Sequence, residues 1–154
     1  MEIMVDGYNL IRQVPELLGQ ERRSLQDGRD YLVRELSNYA VRKRHHVTVV
    51  FDGPAVSHQS FAGVSIVYAP SADEYIIDHA APDLLVVSSD VWVAEESERK
   101  GATACPVDYF WHRVSVLRSG QPTPGHRRTG PGGRRLTRAE RRAINRRGRL
   151  LDQL

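Results

Sequence analysis

Short apolar runs alternate along this chain with longer amphipathic segments, and this alternation limits the fold more than any other feature of the sequence. Strands that alternate with helices form an α/β domain with a mostly parallel sheet, and the strands are apolar because helices cover both faces. We therefore predict an α/β fold with a sheet of four to five strands. The strands are expected at 3–5, 46–53, 64–68, 83–90 and 102–105, and the helices at about 25–44, 71–81, 91–100 and 106–117.

Length and composition narrow the class of protein. The chain has 154 residues, of which 40% are hydrophobic, and this is enough for one compact domain with an ordinary core. Its single cysteine, Cys105, cannot form an internal disulfide, so nothing indicates secretion. No run approaches the roughly 18 apolar residues of a membrane span, and the first residues lack a signal-peptide pattern. We expect a cytoplasmic protein that contacts no membrane; its oligomeric state stays open.

The charge is divided unevenly along the chain. Residues 1–117 hold 11 lysines and arginines against 17 acids, whereas residues 118–154 hold 11 arginines, no lysine and two acids. This asymmetry predicts an acidic folded domain over 1–117 and a basic tail over 118–154 that binds a polyanion. The tail begins with a Gly-, Pro- and Arg-rich linker at 119–135. A helix at about 137–148 is expected after it, because a capping pattern opens at Thr137 and Gly148 is a stop signal.

The arginines of the tail favour RNA as the polyanion. A guanidinium group pairs with phosphate through two hydrogen bonds and stacks on bases, and an acidic domain needs a basic neighbour to hold RNA. The alternative is a solubilising tail with no ligand. The arginines expected to bind RNA are Arg127, Arg128, Arg134, Arg135, Arg138, Arg141, Arg142, Arg146 and Arg147.

Aspartates stand at the ends of three predicted strands, at Asp6, Asp52 and Asp90, and Asp73 begins a helix soon after another strand. Functional groups gather beyond the carboxyl ends of parallel strands, so these four carboxylates should lie close together. Crowded carboxylates repel one another unless a cation neutralises them, and ligands that are all oxygen select Mg²⁺ or Mn²⁺. Each Asp-Gly pair has a simpler alternative reading as a turn.

Several sequence blocks carry a resemblance to a known family. They are Val5-Asp6-Gly7-Tyr8-Asn9-Leu10-Ile11, Val50-Phe51-Asp52-Gly53, Ala72-Asp73-Glu74, Ser88-Ser89-Asp90 and Gly101-Ala102. In this order and at these intervals they resemble the NYN domain, most closely the YacP-like group of the PIN-like ribonuclease superfamily, over residues 3–117. The resemblance implies a three-layer PIN-like fold and a metal-dependent endoribonuclease, which in some members acts at the ribosome.

The resemblance also implies roles for single residues. Asp6 is a principal metal ligand, Asn9 positions a ligand or a phosphate, and Asp73 and Asp90 complete the acidic set. Asp52 is either a ligand or a supporting group. The family has a glutamate four residues after the position of Asp73, but this chain has Ile77 there. Three alternatives remain for that ligand: Asp78 reaches in, Glu74 replaces it, or the ligand is lost.

We therefore expect a Mg²⁺- or Mn²⁺-dependent endoribonuclease that hydrolyses RNA, with ribosome-associated RNA as one candidate substrate. The alternative is a non-catalytic RNA- or ribosome-binding protein with a degenerate nuclease site. A phospho-acceptor signalling domain is disfavoured, because no lysine follows the fifth predicted strand. The residues assigned to catalysis are Asp6, Asp73, Asp90 and Asn9, and those assigned to the metal are Asp6, Asp52, Asp73, Asp78 and Asp90.

Overall fold

The structure, a computed structural model, describes residues 1–120 and 137–154. The first range contains six strands and six helices, and the second contains one helix. The elements are β1 (Glu2–Asp6), α1 (Gly7–Gln13), α2 (Pro15–Glu21), α3 (Leu25–Lys43), β2 (His46–Asp52), β3 (Ser57–Phe61), β4 (Val64–Ala69), α4 (Ala72–His79), β5 (Leu84–Val87), α5 (Val91–Arg99), β6 (Thr103–Cys105), α6 (Val107–Ser119) and α7 (Arg138–Asp152).

The strands form one sheet in the order β3-β4-β2-β1-β5-β6, and only β3 runs antiparallel to its neighbour. The predicted α/β fold with a mostly parallel sheet is thereby confirmed. The sheet has six strands rather than four to five, because the sequence prediction missed β3. Its residues, Ser57–Phe61, are exposed throughout and lack the apolar alternation that marks a half-buried strand.

Helices cover both faces of the sheet and give the fold three layers. Successive residues of a strand point to opposite faces, so Ile3 and Val5 face one layer and Met4 faces the other. The first layer contains α1, α3 and α6 and the larger of the two apolar clusters. The second contains α4 and α5. The three-layer architecture agrees with the prediction, and no helix in the described ranges is both long and apolar enough to cross a membrane.

The chain between β1 and α3 forms two short helices. Val14 separates them in an extended conformation (φ −105°, ψ 114°), as expected for a residue that precedes proline.

Because parallel strands all end at the same edge of the sheet, α1, α4 and α5 begin at that edge, which we call the carboxyl edge.

The last helix is longer than its sequence predicts. We expected it to stop at Gly148, but α7 continues to Asp152. Leu151 and Leu154 lie buried in the larger core cluster, and the Tyr39 hydroxyl donates a hydrogen bond to the carbonyl oxygen of Leu154 (3.1 Å). Burial of two leucines outweighs the cost of about 1 kcal/mol for a glycine inside a helix. Most of the predicted linker, with Arg127, Arg128, Arg134 and Arg135, lies outside the described residues.

Candidate metal centre

Four aspartates line one cavity of about 210 Å³ at the carboxyl edge of the sheet. Asp6 and Asp52 are the last residues of β1 and β2. Asp90 follows β5 and caps α5, and Asp73 lies in the first turn of α4. The sheet thus brings together side chains that are up to 84 positions apart in the sequence. The structure brings four aspartates together at this edge, as the sequence predicted: Asp6, Asp52, Asp73 and Asp90.

Asp6 is the most enclosed of these carboxylates, with 5% of its surface exposed. One oxygen accepts a hydrogen bond from the backbone N–H of Asn9 (3.4 Å), and the other accepts one from the Ser88 hydroxyl (3.2 Å). The first bond caps α1. Gly7 allows the helix to start here, since a Cβ at this position would lie 2.3 Å from a ring carbon of Phe51. The Asp-Gly pair is therefore a helix start packed against β2.

Asp52 and Asp90 also hold the beginnings of helices. Asp52 Oδ1 accepts a hydrogen bond from the N–H of Ala72 (2.9 Å), and Asp90 Oδ1 accepts one from Val93 (3.1 Å). Helices α1, α4 and α5 therefore all begin at the cavity. The N-terminus of a helix carries a partial positive charge, and three such ends offset part of the repulsion among the carboxylates.

The pKa values of two carboxyl groups in the cavity are nevertheless raised. Burial, together with the charges of Asp73 and Asp52, raises the pKa of Asp6 from its ordinary 3.8 to about 6. Burial also raises the pKa of Asp73, with further contributions from the charges of Asp90 and Asp52. Both shifts mean that negative charge is costly here. A bound cation would remove that cost.

The donors suit a hard cation, since four carboxylates supply only oxygen. Within residues 1–120 and 137–154, however, no three His, Cys, Asp or Glu side chains lie close enough together to hold a metal ion directly. Mg²⁺ commonly binds proteins through one or two carboxylates and keeps several of its water ligands. The arrangement therefore fits an ion bound partly through water, and it does not fit a fully protein-ligated cage.

Asn9 and two serines hold the loop between β5 and α5 against α1. The side-chain oxygen of Asn9, which lines the cavity, accepts a hydrogen bond from the N–H of Ser89 (2.9 Å). The Ser88 hydroxyl donates to Asp6 and accepts from the N–H of Asp90 (3.1 Å). Asp6 and Asp90 are thus joined through Ser88, and Asn9 fixes the loop that carries Asp90.

The structure does not bring Asp78 to the cavity, so its assignment as a metal ligand is wrong. The side chain is 75% exposed, and its carboxylate lies 3.7 Å from the Lys100 ammonium group. Ile77, which occupies the position of the family glutamate, is buried against the smaller core cluster. One step along a helix rotates a side chain by about 100°, which turns Asp78 away from that direction. Glu74 is exposed and does not line the cavity either.

Three residues of α1 line the cavity without having been assigned to it: Tyr8, Arg12 and Gln13. The Arg12 guanidinium lies 5.3 Å from the centre of the Tyr8 ring. A helical reading of the segment after Asp6 would have found Arg12, because residues three and four apart share a helix face. The helices predicted from the sequence begin only at about residue 25, so this signal was missed.

Two arginines of α7 contact acids on the side of the sheet away from the cavity. Arg146 forms an ion pair with Asp83, which precedes β5, and Arg147 lies 3.6 Å from Glu98 near the end of α5. Both acids stand at the amino edge of the sheet, opposite the carboxyl edge. The length of a four- to five-residue strand, roughly 15 Å, separates the two edges. The structure therefore does not make α7 a direct neighbour of the acidic cavity.

Comparisons with known proteins agree with one another. The family model described as the YacP-like NYN domain matches residues 3–142. Two crystal structures of Rae1 (YacP) from Bacillus subtilis, one of them a W164L mutant, each align with a TM-score of 0.68 and 25% identity. The alignment covers 78% of this chain and 79% of the mutant chain. The other structure is covered over 76% of its length.

Curated relatives match a shorter part of the chain. A UPF0178 protein of Pseudomonas putida strain GB-1 is 36% identical over 80 residues, or 49% of this chain and 50% of that protein. A UPF0178 protein of Ectopseudomonas mendocina is 38% identical over 66 residues, or 40% of this chain and 44% of that protein. The matched region thus spans about half the length of these relatives.

Proposed function

This chain belongs to the YacP-like NYN domain family and has a PIN-like nuclease fold, and we propose from this premise that it is a divalent-metal-dependent endoribonuclease. One observation carries the proposal: four aspartates from four separate elements line a single cavity. The raised pKa values of Asp6 and Asp73 support it, because burial and neighbouring carboxylates make negative charge costly there and a bound cation would offset that cost.

Asp6, Asp73, Asp90 and Asp52 would hold Mg²⁺ or Mn²⁺ at the carboxyl edge. A bound divalent ion activates water and neutralises charge on a phosphate during in-line displacement. The chain itself supplies orientation. The bonds from Asn9 and Ser88 fix the two oxygens of Asp6, and the bond from Val93 fixes Asp90. Arg12, on the cavity wall, is placed to meet a phosphate oxygen that approaches the carboxylates.

RNA binding by α7 is the second part of the proposal. Its described arginines are Arg138, Arg141, Arg142, Arg146, Arg147 and Arg149. Since α7 lies at the amino edge, RNA held there would contact the protein at a second place, separate from the cavity. An RNA that contacts both edges must span the roughly 15 Å between them, which a strand of a few nucleotides and a structured or ribosomal RNA can each do.

A specific observation favours a second candidate function, a non-catalytic RNA- or ribosome-binding protein. Ile77 is buried where the family has a glutamate, and neither Asp78 nor Glu74 replaces that carboxylate. Together with the spread of the four aspartates, this leaves the cavity with fewer donors than a complete family site. A protein of this kind would bind RNA through α7 and would bind divalent ions weakly or not at all.

Calorimetric titration of Mn²⁺ in phosphate-free buffer separates the two functions without requiring the natural substrate. For an enzyme we expect binding by the wild type that Asp6→Asn removes, because this substitution removes a charge and keeps the side-chain shape. Asp78→Asn is the matched control, since it removes an acid outside the cavity and should leave binding unchanged. Absence of Mn²⁺ binding by the folded wild type would favour the non-catalytic alternative.

A further inference from the structure

A second concave surface lies between α3 and the hairpin of β3 and β4, and we call it the hairpin groove. Its volume is about 320 Å³, at the lower end of the range of small-ligand pockets. Helix α3 contributes Arg29, Val33 and Arg34 to its walls, and the sheet contributes Phe51, Phe61 and Tyr68. Asp30 lines it as well. The groove therefore combines aromatic rings with two guanidinium groups and one carboxylate, a composition unlike that of the acidic cavity.

The hairpin groove adjoins the acidic cavity. The guanidinium group of Arg29 donates a hydrogen bond to the hydroxyl of Tyr8 (2.7 Å), and Tyr8 lines the cavity. The Tyr8 ring also packs against Phe51, with 5.0 Å between the ring centres. Tyr68 is one residue before Ala69, which pairs with Asp52 across the sheet. One end of the groove therefore lies at the carboxyl edge, beside the four aspartates.

One feature of the hairpin groove is unexplained by the fold alone. Phe61 is 53% exposed on the edge strand β3, although its burial would stabilise the protein. An exposed ring beside two guanidinium groups points to a ligand that offers both an aromatic face and negative charge.

We propose that the hairpin groove binds an unpaired nucleobase of the RNA strand whose phosphodiester bond lies at the acidic cavity. Bases stack on aromatic rings and on guanidinium planes whatever their sequence, and phosphates pair with arginine. The Arg29 guanidinium already lies 5.9 Å from the centre of the Tyr68 ring, which leaves the aromatic face of Phe61 for a base. A wholly apolar ligand would cover Phe61 but would make no use of the Arg34 guanidinium group, which also lines the groove.

This inference rests on the proposed function for its substrate and can be tested without cleavage. The probe is a fluorescein-labelled, mixed-sequence RNA hexamer, and binding is followed by fluorescence anisotropy with EDTA present. The full chain is used throughout. We expect Phe61→Ala and Arg34→Gln each to raise the Kd about five- to tenfold, the effect of losing one stacking or phosphate contact. The matched controls are Leu25→Ala and Arg23→Gln, which alter an exposed apolar side chain and an exposed arginine outside the groove.

A hexamer that carries 4-thiouridine adds a positional readout. Irradiation should crosslink it to the segment 57–68, and Phe61→Ala should reduce the yield. The inference is overturned if the wild type does not bind the hexamer, if groove and control variants have the same Kd, or if crosslinks fall only on α7. Loss of cleavage activity alone would not overturn it, because the groove could bind RNA beside an inactive cavity. Conversely, if the groove variants cleave RNA and bind the hexamer as the wild type does, the groove is not a binding site, and the proposed nuclease function still stands.

Discussion

The acidic cavity and helix α7 carry opposite charges at opposite edges of one sheet, and they hold those charges in different ways. At the cavity, Asp6, Asp52 and Asp90 are each fixed by a hydrogen bond from a backbone N–H. On α7, Arg146 and Arg147 are about half exposed and meet acids on the surface. Exposed ion pairs contribute at most about 1 kcal/mol, so these arginines can exchange a carboxylate for a phosphate at little cost. Three carboxylates of the cavity are thus held in place by the backbone, whereas the side chains on the helix surface can adapt to a partner.

Removal of one carboxylate from the cavity should separate catalysis from RNA binding. Asp73→Asn should lower RNA cleavage about 1,000-fold or more, since charge stabilisation by a metal is worth several kcal/mol. Binding of RNA at α7 should stay unchanged. Single-turnover cleavage and anisotropy binding measure the two effects separately. Asp78→Asn, on the same helix but outside the cavity, is the control and should cleave within about twofold of the wild type.

A second prediction concerns the anchoring of α7. Leu154→Ala should lower the free energy of unfolding by about 2–4 kcal/mol, because the side chain is fully buried in the main core. Urea unfolding followed by circular dichroism measures the loss. Ile144→Ala, on the exposed part of the same helix, should change stability by less than about 1 kcal/mol. Equal effects of the two substitutions would show that α7 does not dock through its last turn.

The anchoring also limits a simpler experiment. Truncation after Leu117 would remove the arginines that we propose to bind RNA, but it would also remove Leu151 and Leu154 from the core. Weaker RNA binding by such a fragment would therefore not distinguish a lost contact from a damaged fold. Point substitutions of arginines avoid this problem.

Asp6 should make the metal-free protein less stable at neutral pH. Its pKa rises on folding from 3.8 to about 6, so the folded state binds the proton more tightly than the unfolded state does. The free energy of unfolding should therefore fall as the pH rises from about 4 to 6, by at most about 3 kcal/mol, and the full cost is present above pH 6. Asp6→Asn should be more stable than the wild type at pH 7.5 in EDTA. The difference should shrink toward pH 4.5 in urea unfolding, and a difference that is independent of pH would contradict the prediction.

The smallest predicted effect belongs to single arginines of α7. Arg138→Gln with Arg142→Gln should reduce the slope of log K against log salt by about 2 for binding of a structured RNA, since each lost phosphate contact changes the slope by about 1. Arg22→Gln with Arg23→Gln makes the same change of charge near the start of α3. The slope of that control should stay at the wild-type value. If both pairs change it equally, then net charge rather than α7 determines the binding.

Sequence patterns predicted the parts of this fold in which local and global preferences agree. Asp6 and Asp52 were correctly placed at strand ends because an apolar run followed by Asp-Gly is a strong local signal. Strand β3 was missed because its residues face solvent and an edge position needs no apolar alternation. The extension of α7 past Gly148 was missed for a related reason. Leu151 and Leu154 are buried by residues more than a hundred positions away, such as Tyr39, and no local pattern carries that information.

The meeting of the four aspartates could be predicted from the sequence. The direction of Asp78 and the position of α7 could not, because both depend on three-dimensional packing. Parallel strands bring their ends to one edge, so the meeting of Asp6, Asp52, Asp73 and Asp90 follows from topology. The direction of Asp78 depends on the rotation of α4 about its own axis, which is set by the burial of Ile76 and Ile77. The position of α7 at the amino edge likewise depends on where its end docks, and no charge pattern in the sequence predicts that.

Three of the four aspartates serve the fold as well as the cavity, and this makes their positions unequal under natural selection. An asparagine or serine at 6, 52 or 90 could still accept the backbone hydrogen bond that holds a helix start. Asp73 accepts no backbone hydrogen bond in the described structure, and its neighbours are other carboxylates. A lineage that gave up catalysis would therefore keep polar residues at 6, 52 and 90 and would lose the acid at 73 first. Among these four positions, substitution of Asp73 is the change that would indicate a loss of activity.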